Sequence, residues 1–186
     1  WSDTGECHDS TGVHRTSGRI FKISHESPEG AQSLGPRLEP LRSSDLLELA
    51  RLQVEGSTWQ SRHARERTAY LQTQASDSPA AAEYLRQVLR DSGSASVEAR
   101  LRALWGLQTL DAMDGSELRQ LLGDDAPAIR VWAIRLLTDL WPLDTSLGER
   151  PARQDAEIEE SMLEMLSDMA RRETAAEVRL ALASTL

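Results

Sequence analysis

An arginine-centred apolar pattern with helical spacing recurs along most of the chain. It is cleanest over 126–140, where the apolar side chains form one broad stripe, namely Ile129, Val131, Trp132, Ile134, Leu136, Leu137 and Leu140. Similar segments occupy 95–107 and 175–183, and a looser one occupies 58–65. The arginines at their centres lie roughly 30 to 50 residues apart and are Arg62, Arg100, Arg130 and Arg179. A period of this size, with a partner helix before each such helix, is typical of stacked helical repeats.

Capping and helix-breaking residues divide 43–186 into about four helical hairpins. Asp45 is suited to cap the first helix, and Gly56 ends it. Pro142 ends the helix that begins near residue 126, and we predict a loop over 143–151. The sequence therefore predicts a mainly α protein with helices over 46–55, 59–75, 80–89, 97–110, 116–122, 126–140, 157–172 and from 175 onward.

The first part of the chain follows a different pattern. Residues 1–13 are polar and rich in turn formers, and 18–24 alternate as a short β-strand would. One strand needs a neighbour for its backbone hydrogen bonds, so we expect further strands upstream. Residues 25–42 carry several prolines and glycines and are predicted to form a linker. With no initiator Met and an uncapped helical pattern at the other end, the chain is expected to be an internal piece of a longer protein.

Composition excludes several classes of function. A net charge of −9 disfavours nucleic acid as a partner, because no basic patch is present to displace counterions from phosphates. A single cysteine, Cys7, excludes an internal disulfide framework and a cysteine-rich zinc site. No run approaches the roughly 20 apolar residues needed to span a bilayer, so no membrane span is predicted.

The polar segment at the start of the chain holds the residue types that could bind a metal or cofactor. Asp3, Glu6 and His8 are candidate metal ligands, and His8, His14 and Arg15 are candidate cofactor contacts. Their spacing matches no known zinc signature. The alternative is structural, because the carboxylates could accept backbone N–H groups and order the loop, with Arg15 in an internal ion pair. No catalytic residue is predicted.

The helical part resembles HEAT repeats over 43–186, including an Asp-x-x-Pro-x-Ile-Arg-like lead-in from Asp124 to Arg130. The resemblance implies a HEAT-like α-solenoid of about four hairpins. We expect the repeated arginines to stabilise it by pairing with carboxylates or carbonyls of the adjoining repeat, with Glu98, Asp124 and Asp125 as candidate partners. Four tryptophans are expected to pack in the core or between repeats rather than bind ligands: Trp59, Trp105, Trp132 and Trp141.

A second resemblance involves the first residues, which read Trp-Ser-Asp-Thr-Gly-Glu-Cys-His-Asp and then, from residue 12, Gly-Val-His-Arg-Thr-Ser-Gly-Arg-Ile-Phe-Lys-Ile. This stretch looks like the closing segment of a β-propeller. It is similar to that of the large membrane-bound dehydrogenase-like proteins of planctomycetes, which join a glucose/sorbosone-dehydrogenase-type propeller to HEAT repeats. By this resemblance, 1–24 end a propeller, 25–42 form a linker and 43–186 form the HEAT array.

The dehydrogenase resemblance implies a non-catalytic scaffold within a larger enzyme. That enzyme would oxidise a sugar or alcohol with PQQ and haem c, and it would work in the periplasm or at the cell surface. The partners of this segment would be the adjoining propeller, a haem domain of the same chain, and a protein on the solenoid. Two alternatives stay open: a stand-alone HEAT-repeat protein-binding module with no redox role, and a contribution of residues 1–23 to an active site that the missing propeller completes.

Overall fold

The fold was obtained as a computed structural model, which describes residues 45–73, 79–141 and 159–185 and the backbone of two short strands. These residues belong to one compact unit, Leu41–Leu186. Within them the chain forms eight helices: α1 (Leu46–Glu55), α2 (Thr58–Gln72), α3 (Pro79–Arg90), α4 (Val97–Thr109), α5 (Gly115–Leu121), α6 (Pro127–Thr138), α7 (Glu160–Arg172) and α8 (Ala176–Ala183). The prediction of a mainly α protein is confirmed, with each helix within a few residues of its expected position.

The strands lie inside the segment that was predicted to be a loop. β1 (Asp144–Thr145) pairs antiparallel with β2 (Gly148–Glu149). Two residues are too few to show the alternation that marks a strand in a sequence, so this ladder could not have been predicted from pattern. The β-strand predicted over 18–24 lies outside the described residues, as do the expected propeller end and the whole of the linker predicted over 25–42.

Side-chain caps explain why several helices begin where they do. The Asp45 carboxylate accepts the backbone N–H of Leu47 at 2.9 Å, which satisfies one of the free donors of the first turn of α1. Capping boxes open α2, between Ser57 and Gln60, and α5, between Asp114 and Glu117. At Asp114, the Ser116 hydroxyl and the Glu117 N–H hold the pKa of the carboxyl below its ordinary value. These starts are therefore encoded locally.

The helices pack in a repeat-like way. Consecutive helices form the pairs α1/α2, α3/α4, α5/α6 and α7/α8. The second helices of successive pairs also touch, α2 with α4, α4 with α6, and α6 with α8. The four second helices thus follow one another side by side in chain order, and the central arginines of the sequence pattern all lie on them.

Two apolar clusters run through these pairs. The larger one spans α1 to α6 and includes Leu49, Leu104 and Ile129, each fully inaccessible to solvent. The smaller one joins α6 to α7 and α8 through Ile134, Leu166 and others. Both clusters cross from one helical pair to the next, so part of the hydrophobic stabilisation comes from contacts between pairs.

Candidate functional site

A buried arginine links α4 to the start of α6. Arg100 is only 4% exposed, and its Nε donates to the carbonyl oxygen of Leu89 at 2.8 Å. Its Nη1 and Nη2 both donate to the Asp124 carboxylate. The same carboxylate accepts the backbone N–H of Ala126, the N-cap of α6, at 2.9 Å. The guanidinium charge is thereby paired in the bidentate geometry that arginine and carboxylate favour.

The same arrangement recurs one helical pair later. The Nε and Nη2 of Arg130 on α6 donate to the two carboxylate oxygens of Glu173 at 3.0 and 2.9 Å. Glu173 also accepts the backbone N–H groups of Thr174 and Ala175 at the start of α8. The hydrogen bonds from Arg130, helped by these backbone donors, lower the pKa of Glu173 below its ordinary value of 4.5. In both cases an arginine on one second helix binds a carboxylate that lies just before the next second helix.

The other two repeated arginines are not held in this way. Arg62 on α2 and Arg179 on α8 are exposed, and their side chains make no hydrogen bond or ion pair with another described residue. Of the expected partners, Asp125 offers only its backbone carbonyl, to Arg130 at 3.2 Å. Glu98 instead pairs with Arg102, four residues later on α4.

Further links between pairs were not foreseen from the sequence. Arg86 on α3 pairs with Glu117 on α5 at 3.0 Å, and Arg119 on α5 pairs with Glu159 ahead of α7 at 2.9 Å. Buried Gln53 on α1 donates to the carbonyl oxygen of Arg102 at 2.7 Å. The sequence carries no separate signal for these contacts, because the way the helical pairs pack decides which of these side chains meet.

A groove of about 590 Å³ lies on the layer of second helices. Three helices line it: α2 and α4 each contribute a row of side chains from one helix face, and α6 contributes side chains from one turn. The lining residues are Thr58, Ser61, Arg62, Arg65, Glu98, Arg102, Trp105, Gln108, Thr109, Trp132 and Leu136. Sequence reasoning missed this groove, because no single stripe reveals that three of them converge.

Aromatic rings form the apolar side of the groove. Trp105 on α4 and Trp132 on α6 meet edge to face, with ring centroids 5.0 Å apart. The two rings therefore pack between successive helical pairs, and the same two residues also line the groove. The Trp105 Nε1 is buried and has no hydrogen-bond partner among the described residues. Trp141 is buried, and Trp59 stacks on His63 with centroids 3.9 Å apart.

Arginines form the polar side of the groove. The Arg65 guanidinium lies 5.4 Å from the centre of the Trp105 ring, within range of a cation–π interaction. Arg102 is held by the carbonyl oxygens of Val54 and Gly56 and by Glu98, so its charge is largely compensated. Arg62 is exposed at the rim, where its charge faces solvent. The groove thus combines positive charge with an aromatic surface, which suits a ligand that is both anionic and apolar.

The candidate metal ligands of the sequence have no counterpart among the residues that the structure describes. Within 45–73, 79–141 and 159–185, no group of three or more His, Cys, Asp or Glu could hold a metal ion. The candidates Asp3, Glu6, His8, His14 and Arg15 lie outside the described residues, so they stay predictions. Among the helices that the structure describes, none is both long and apolar enough to cross a membrane.

Comparison with known proteins gives no match to this chain, whether by protein-family model, by curated sequence or by solved structure.

Proposed function

We propose that residues 43–186 form a HEAT-like α-solenoid that acts as a non-catalytic protein-interaction module. The observation that carries the proposal is the groove formed jointly by α2, α4 and α6, because stacked helical pairs typically bind partners on surfaces that several pairs share. Its tryptophan and arginine lining has the composition of binding hot spots in protein interfaces.

The charged links between pairs support a scaffold role. Breaking a buried ion pair leaves an uncompensated charge and costs about 3 to 5 kcal/mol. The ion pairs between Arg100 and Asp124 and between Arg130 and Glu173 therefore hold the helical pairs that they join in fixed positions against one another. A rigid stack keeps the walls of the groove at a constant separation, which limits the entropy lost when a partner binds.

Within a longer protein, the module would serve as a docking arm. Our proposal, resting on the resemblance of residues 1–23, is that the parent is a propeller-type sugar or alcohol dehydrogenase linked to PQQ and haem c, in the periplasm or at the cell surface. The array would then hold the propeller near a haem domain or a partner protein. A stand-alone interaction module is the alternative, and it requires no redox partner.

In-cell photocrosslinking tests the interaction role. A photoreactive amino acid placed at Gln108, an exposed groove residue, is expected to give one crosslinked protein that mass spectrometry can identify. The control carries the same amino acid at Glu177, which is exposed on α8 and lies outside the groove. Equal crosslinking from both positions, or none from Gln108, would contradict an interaction site at the groove.

A further inference from the structure

We infer that the groove binds an extended peptide segment in which an acidic side chain lies close to a large apolar one. This inference rests on the proposed interaction function and adds the chemistry of the partner. Three observations carry it: the dimensions of the groove, its charge within an acidic protein, and the closeness of its cationic and aromatic parts.

The dimensions fit a short extended segment. On α4 the lining runs from Glu98 to Thr109, which corresponds to roughly 16 Å along a helix that rises 1.5 Å per residue. An extended peptide covers about 3.3 Å per residue, so roughly five residues would fill this length.

The charge of the groove selects an acidic ligand. The chain carries a net charge of −9, yet the lining includes three arginines against one glutamate. Arg102 is already paired with that glutamate, which leaves Arg62 and Arg65 as the cations available to a ligand. A carboxylate would meet them without strong competition, because neither makes an ion pair with another described residue.

The position of Arg65 sets the spacing between acidic and apolar groups. Because its guanidinium lies 5.4 Å from the Trp105 ring centre, a carboxylate bound to it also lies close to the tryptophan surface. In an extended peptide, residues i and i+2 point to the same side, about 6.6 to 7 Å apart. An acidic residue two positions from Phe, Leu, Ile or Met would therefore place its carboxylate on α2 and its apolar group against Trp105, Trp132 and Leu136.

A peptide is favoured over a nucleic acid. Tryptophan and arginine also stack on bases, but binding of a strand depends on a groove that follows many phosphates with positive charge. Here two available arginines stand in a protein with a net charge of −9. The net negative charge of the protein would repel a polyanion, whereas a peptide with one or two carboxylates would be attracted by the two arginines of the groove.

The test is selection from a random heptapeptide library displayed on phage, with the whole 186-residue chain immobilised. We expect the selection to enrich sequences in which Asp or Glu lies two positions from a large apolar residue. A peptide synthesised from the enriched set should bind in fluorescence anisotropy, and Arg62→Glu and Gln108→Glu should each weaken its binding at least about tenfold. Both positions are exposed, so these changes are expected to leave the fold intact. Arg179→Glu makes the same charge reversal on α8 and should leave binding unchanged.

Four other results would contradict the inference, and each points to a different part of it. Enriched peptides whose binding is indifferent to Arg62→Glu and Gln108→Glu would leave the interaction function standing but move the site elsewhere. A basic consensus would refute the charge argument. Tighter binding of a labelled single-stranded decanucleotide of mixed sequence than of any selected peptide would favour nucleic acid. Failure to enrich any sequence, together with no specific crosslink from Gln108 in cells, would remove the proposed function as well.

Discussion

At the residue scale, Trp105 both packs against its neighbours and lines the groove, and its indole N–H has no partner among the described residues. The ring meets Trp132 and lies under the Arg65 guanidinium, but the buried Nε1 donates to no described residue. A buried donor without an acceptor costs about 1 to 3 kcal/mol relative to one that is paired. Trp105 therefore contributes to stability through the packing of its aromatic ring and not through a hydrogen bond to a described residue.

Substitution at Trp105 separates these contributions. We expect Trp105→Phe to keep the free energy of unfolding within about 1 kcal/mol of the parent, since it removes an unpaired donor while retaining an aromatic ring. Trp105→Ala should lower it by about 2 kcal/mol, because the half-buried ring is lost. Urea unfolding measures both values. An equal loss in the two variants would contradict the expectation that any aromatic ring at this position preserves most of the stability.

Gly106 allows α4 to approach the first helices closely. A Cβ at this position would lie 2.9 Å from Leu85 Cδ1 and 3.1 Å from Gln53 Nε2, and both of those side chains are almost fully buried. Alanine would gain about 1 kcal/mol of helix propensity, while overpacking costs about 1 to 3 kcal/mol. We expect Gly106→Ala to destabilise the protein by about 1 kcal/mol in thermal or urea unfolding.

Gly115 provides the matched control for that prediction. It opens α5, and a Cβ there would meet nothing within 4 Å. Gly115→Ala should therefore be neutral or slightly stabilising, since only the backbone entropy of the unfolded chain changes. If Gly106→Ala changed the free energy of unfolding as little as Gly115→Ala, the result would contradict the close packing of α4 against Leu85 and Gln53.

At the scale of the elements, the link from Arg100 to Asp124 joins α4 to α6. Asp124→Ala would leave the buried guanidinium with only the Leu89 carbonyl as partner, and would also remove the acceptor for the Ala126 N–H. We expect a loss of about 3 kcal/mol in the free energy of unfolding, measured by urea denaturation. Asp125→Ala is the control, because the exposed neighbouring residue contributes to Arg130 only through its backbone. Similar losses from both changes would contradict the assigned link.

At the scale of the whole molecule, the contact between α6 and α8 makes stability depend on pH. Glu173 has a folded-state pKa below its ordinary value of 4.5, so it binds protons more weakly in the folded state than in the unfolded one. Its contribution to stability is therefore fully present above about pH 4.5 and is lost as the pH falls through the folded-state pKa.

Glu173→Gln should isolate this contribution. We expect the variant to be less stable than the parent at neutral pH, and the difference to shrink as the pH falls below about 4.5. Thermal unfolding followed by circular dichroism across this range measures the difference. Glu177→Gln removes one negative charge from an exposed site on α8, the helix that Glu173 precedes, and controls for net charge. A difference that stays constant down to about pH 3 would exclude the link between Arg130 and Glu173 as its source.

Several helix starts in this protein follow from local signals. Asp45, Ser57 and Asp114 cap the helices that they precede, and Pro127 stands in the first turn of α6. Such signals act over three or four residues, so they can be recognised in one sequence without knowledge of the fold. The two-residue strands were not predicted, because a ladder that short has no periodicity that a sequence could show.

The partners of the repeated arginines depended on tertiary structure instead. Asp124 was anticipated for the arginine series, but it lies 24 residues from Arg100, and Glu173 lies 43 residues from Arg130. Nothing in the repeat distinguishes these paired arginines from exposed Arg62 and Arg179. The groove likewise exists only because stripes of α2, α4 and α6 converge. Local chemistry sets where helices begin and end, whereas the packing of apolar faces decides which distant side chains meet, and that packing is a property of the whole stack.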